Sequence, residues 1–113
     1  WDATLTKRYV EYPFPAWYYA FVAGTQKIVS GKDMIIHELQ AESWGPHGQS
    51  ISQISLDEAN KSFNAERFEH RLKFAEGTGM REVYLWGAEY WYFRLVHEKD
   101  PSLWNVAKEA FHP

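Results

Sequence analysis

Two short apolar segments, Met34-Ile35-Ile36-His37-Glu38 and Glu82-Val83-Tyr84-Leu85-Trp86, limit what this chain can fold into more than any other feature. Each runs into a polar, aromatic stretch, and beyond each stretch lies a helical pattern. Residues 34–38 have the continuous apolar character of a strand that a parallel sheet buries on both faces. In residues 82–86, Val83 and Leu85 alternate with Tyr84 and Trp86, so the two faces of that strand differ. Strands separated by a helix pair in parallel through a right-handed crossover. A two-stranded parallel sheet leaves its edges open, so further strands are expected from a missing part of the protein or from another chain.

The helices announce themselves by their ends. Pro13 and Pro15 deny a helix before Ala16, and residues 16–29 then carry apolar side chains on most faces, which predicts a largely buried helix ended by the turn Gly31-Lys32-Asp33. Ser55-Leu56-Asp57-Glu58 fits a capping box and predicts a short helical turn. Asn64 reads as the next N-cap, with Phe63 and Phe68 as a hydrophobic staple, for a helix over 65–76 ended by Gly77 and Gly79. Asp100-Pro101 opens a last helix reaching about Phe111. Residues 1–15, 39–54 and 87–99 are left as loops, the latter two longer than usual connections. Both follow the carboxyl end of a strand, where α/β folds place their sites.

Composition narrows the function. At 113 residues the chain holds one domain. A net charge of −3 argues against nucleic acid as a partner. Aromatic residues make up 18% of the chain, more than so small a core needs, which points to a binding cleft or a large interface. Cys is absent, which removes disulfides and thiol chemistry and leaves the compartment open. No apolar run reaches the ~20 residues of a membrane-spanning helix. The five His residues form no helical metal pair, so no metal site is expected. Trp17, Tyr18, Phe21, Phe68, Phe74 and Trp104 are expected in the core. Glu89 reads as a solvated charge or a partner of Arg94, and Glu66, Glu69, His70 and Arg71 as a solvated helix face.

By pattern alone Glu38 is an ordinary strand-end carboxylate, and Trp86 is either a core residue or an exposed stacking platform. With the motifs Ile35-Ile36-His37-Glu38-Leu39-Gln40 and Val83-Tyr84-Leu85-Trp86-Gly87 in view, residues 9–111 resemble the C-terminal third of the barrel of clan A glycoside hydrolases, cellulase-like enzymes above all. That resemblance implies an α/β fold: the C-terminal part of a (β/α)8 TIM barrel, about its last two strands and three helices, with residues 1–113 forming a partial domain whose upstream strands are absent. It implies a retaining glycoside hydrolase for β-linked oligo- or polysaccharides, working by double displacement.

Glu38 would be the nucleophile, on the side of Met34 and Ile36 that faces the barrel axis. Trp86 would stack under the sugar, with Gln40, Glu42, Trp44, Tyr84, Tyr90 and Trp91 as substrate-binding residues. The Asn-Glu pair that supplies the clan's acid/base does not occur, so a second carboxylate about 5 Å from the first has to come from outside, and the isolated chain is expected to be inactive. No cofactor is needed, since two carboxylates suffice. The chain opens on Trp1, which fits a piece of a longer protein. The alternative is a non-catalytic carbohydrate-binding or protein-interaction module.

Overall fold

The computed structural model describes residues 2–3, 8–9, 13–46 and 49–111. Asp2–Ala3 (β1) and Arg8–Tyr9 (β2) form a small antiparallel pair within the segment expected to be irregular; the remainder of residues 1–12 lies outside the described residues. Ala16–Ser30 forms α1, entered through Pro15 in an extended conformation. It is closed by Gly31 at φ 71°, whose N–H reaches the Lys27 carbonyl at 2.8 Å. That positive φ is the left-handed cap glycine adopts at low cost.

Ile36–Gln40 (β3) and Val83–Trp86 (β4) pair in parallel, as the strand–helix–strand order requires. Between them lie a turn of 3-10 helix at Ile51–Gln53, the short helix Leu56–Ser62 (α2) and Ala65–Gly77 (α3). The caps are those the sequence marks: the Ser55 side chain accepts from the Glu58 N–H, and the Asn64 side chain from the Arg67 N–H. Ala88–Val96 (α4) occupies most of what was expected to be a loop, and Ser102–Phe111 (α5) closes the described chain. Phe63, Phe68, Tyr90, Trp91, Leu103, Val106 and Ala107 form the buried cluster. It sits where α3 and α4 meet α5, while α1 packs on α3.

The expectation of a TIM-barrel portion is corrected by this arrangement. A barrel wall needs strands hydrogen-bonded on both sides, tilted and closed on themselves. Here the parallel sheet consists of β3 and β4, β1 and β2 form a separate pair, and the rest is mostly helix. The molecule measures 47 × 39 × 18 Å, and a thickness of 18 Å accommodates a helix layer of ~10–12 Å and a sheet but no second helix layer. Among the described residues one face of the sheet is consequently bare, with Tyr84 and Trp86 exposed on it.

The described α1 also departs from expectation, because none of its residues is fully buried. Tyr19 meets Phe74 of α3 edge-on at 5.6 Å, but Trp17 and Phe21, expected in the core, point outward.

Candidate functional site

The register of β3 against β4 determines which side chains share the bare face. Ile36 pairs with Val83 and Leu39 with Leu85, so two residues of β3, His37 and Glu38, stand against one of β4, Tyr84, which makes a bulge. A bulge interrupts the strict alternation of a strand. Leu39, and not Glu38, therefore lies on the side of Ile36, which corrects the expected parity of Glu38 with Met34 and Ile36. Val83 and Leu85 line a groove together with Leu72, Val106 and Phe111, beneath α3 and α5. Tyr84 and Trp86 alternate with them and project from the opposite face, 54% and 56% exposed. His37 lies beside Tyr84, ring centroids 6.3 Å apart, and the Tyr84 hydroxyl donates to Glu82 at 3.2 Å.

Gln40 pairs with Trp86 across the ladder. Its carbonyl accepts from Arg71 of α3, and its Nε2 is buried without a hydrogen-bond partner among the described residues. Arg71, expected on a solvated face, thus secures the end of β3 and lies over the Phe63 ring. Glu42 follows where the strand ends, half-buried and close to Trp86. Burial pushes its carboxyl above the ordinary range, the Trp86 hydrogen bond pulls the other way, and the negative charge of Glu89 adds to the rise. Trp44 is held by its backbone N–H on the Ser62 hydroxyl at 3.1 Å and keeps its ring half exposed.

Glu38 stands at the exposed edge, its carboxylate 3.8 Å from His37 Nδ1. Tyr90 and Trp91, expected as substrate-binding residues, are both 4% exposed and belong to the core. The reason is α4. Because residues 88–96 are helical, Tyr90, Trp91 and Arg94 fall on its inner side. The Trp91 indole donates to the Ala41 carbonyl at 2.6 Å and the Tyr90 hydroxyl to Ser43 at 2.8 Å. These bonds fix the loop that carries Glu42. Arg94 is buried beside them, donating to Asn60 at 2.8 Å and to Asp100.

Glu89, expected as a solvated charge, stands in the first turn of α4 close enough to Glu42 to act on its charge. Its place follows from a helix that the sequence pattern does not announce. The structure thus brings together Tyr84, Trp86, Gln40 and Glu42, adds Glu89 and His37, and removes Tyr90 and Trp91.

Compared with known proteins, the chain matches no protein family, no curated protein and no solved structure. Among the described residues no group of three or more His, Asp or Glu is placed to hold a metal ion, and no helix is long and apolar enough to cross a membrane.

Proposed function

We propose that the bare face of the β3–β4 sheet binds a saccharide, with Trp86 and Tyr84 as stacking platforms and Glu42 as the hydrogen-bonding group. The observation that carries this reading is the exposure of two rings on one strand beside a half-buried carboxylate: Trp86 and Tyr84 offer their rings to solvent, and Glu42 follows the end of the neighbouring strand close enough to Trp86 to be influenced by it. Sugars present apolar C–H faces ringed by hydroxyls, and flat aromatic rings beside fixed acceptors complement both. Tyr84 and Trp86, two residues apart on one strand, lie about 6.7 Å from each other along it, so two adjacent rings can be met by one extended chain.

Isothermal titration with soluble β-linked glucan oligosaccharides tests it. Trp86→Ala is expected to weaken binding at least tenfold, equivalent to about 1.4 kcal/mol, and Glu38→Gln to leave it unchanged. Affinity that survives the double substitution Tyr84→Ala, Trp86→Ala would sink the reading.

Hydrolysis of a β-linked saccharide is the second reading, favoured by Glu42, whose raised pKa beside Glu89 is the property of a general acid. A chromogenic β-glycoside assay separates the candidates. Loss of turnover in Glu42→Gln assigns the acid there, and loss in Glu38→Gln supports Glu38 as the nucleophile.

A further inference from the structure

Helix α1 carries its most apolar surface away from the protein. Trp17, Phe21, Gly24 and Ile28 follow one another at spacings of four, three and four, so they form one line along the helix. Tyr18, Thr25 and Val29 flank it. Trp17 is 69% exposed, Phe21 68%, Ile28 88% and Val29 79%. The side turned to α3 carries Ala16, Tyr19, Ala20 and Ala23. Lys27 is the only charge in these fifteen residues, and it is paired with Asp33 at 2.9 Å. Alternating steps of four and three are the seam of one helix lying against another.

We propose that two copies of this chain associate through this face as an antiparallel, two-fold symmetric helix pair. The occupant is indicated by the order of large and small residues along the seam. With the two-fold axis between Val22 and Ala23, Phe21 of one copy falls on Gly24 of the other and Trp17 on Ile28. Gly24 faces open space, with nothing within 4 Å of where a Cβ would stand, so each Phe21 ring enters room left by a missing side chain. Two-fold symmetry makes every such contact twice, and the helix dipoles oppose each other favourably. A parallel pairing would set Phe21 on Phe21 and Gly24 on Gly24, a clash beside a void.

The area reaches the lower limit of a specific interface: at about 200 Å² for a whole ring and with the exposed fractions above, Trp17, Phe21, Ile28 and Val29 offer roughly 500 Å² per copy, about 1,000 Å² in total.

Sedimentation velocity of the 113-residue chain from micromolar to sub-millimolar concentration tests the pairing. A dimer is expected, with Phe21→Glu weakening association at least tenfold while circular dichroism is unchanged, because Phe21 contributes little to the monomer core. The chain has no Cys, so engineered ones report geometry cleanly. The double variant Trp17→Cys, Ile28→Cys is expected to form a disulfide-linked dimer on oxidation and either single variant not to. Positions 17 and 28 lie about 16 Å apart on one helix, beyond the reach of a disulfide. Three outcomes overturn the proposal: a monomer at every concentration, cross-linking by Trp17→Cys alone, or a monomeric chain that binds phosphatidylcholine vesicles through Phe21.

Discussion

Gly87 joins β4 to α4 and is the residue on which the candidate site turns. Its φ is 138°, and a Cβ there would stand 2.5 Å from the Ala41 carbonyl oxygen. Two penalties coincide, backbone strain and overlap with an atom that cannot swing away. Gly79 separates them, because it has φ 67° with nothing within 4 Å. Gly79→Ala is expected to cost about 1 kcal/mol, and Gly87→Ala about 3 kcal/mol or more, measured by urea unfolding. Equal costs would show that the approach of Ala41 is relaxed by small shifts. The sequence marks Gly87 as punctuation after a strand. It holds no sign of Ala41, 46 residues earlier, and that contact makes the turn one residue long instead of the start of a loop.

Among the elements, those whose ends are written in local chemistry lie close to where the pattern puts them. Asn64 caps α3 with its own side chain, and Asp100 accepts the Ser102 N–H at 3.0 Å to start α5. Helix α4 has no side-chain cap, and at nine residues it is too short to be stable by itself. It exists because Tyr90, Trp91 and Arg94 are anchored by distant partners, which no local pattern encodes. The bulge at His37-Glu38 is illegible for the same reason, since register belongs to two strands at once. Trp91 is the tie between α4 and the end of β3. Trp91→Phe keeps most of the ring volume but removes the donor to Ala41, so a loss of about 1–2 kcal/mol is expected from urea unfolding, and the proposed saccharide binding should weaken as the Glu42 loop loosens. An unchanged midpoint would mean that packing alone holds α4.

Across the whole molecule two carboxylates are shifted in opposite directions. Burial acts to raise the pKa of Asp100, but the Ser102 N–H and the Arg94 guanidinium outweigh it and hold the carboxyl below its ordinary 3.8. Its contribution is present above that value and is lost as pH falls through the lower folded one. Glu42 is raised above its ordinary 4.5, so its contribution is present below 4.5 and is lost as pH rises through the folded value. At neutral pH the first stabilises the fold and the second opposes it. Asp100→Asn keeps a capping side chain but leaves buried Arg94 without its counter-charge. Urea unfolding at neutral pH is expected to give a loss of about 3 kcal/mol, the low end for a broken buried pair because Asp100 retains contact with water, and the deficit should shrink towards acid pH. Glu42→Gln is expected to do the reverse, stabilising the protein at neutral pH by an amount that vanishes below 4.5, while saccharide affinity falls. That outcome would agree with the proposed binding role of Glu42, since groups with perturbed pKa values cluster at functional sites. If Glu42→Gln instead destabilises at neutral pH, the Trp86 hydrogen bond outweighs burial and Glu42 is a structural residue.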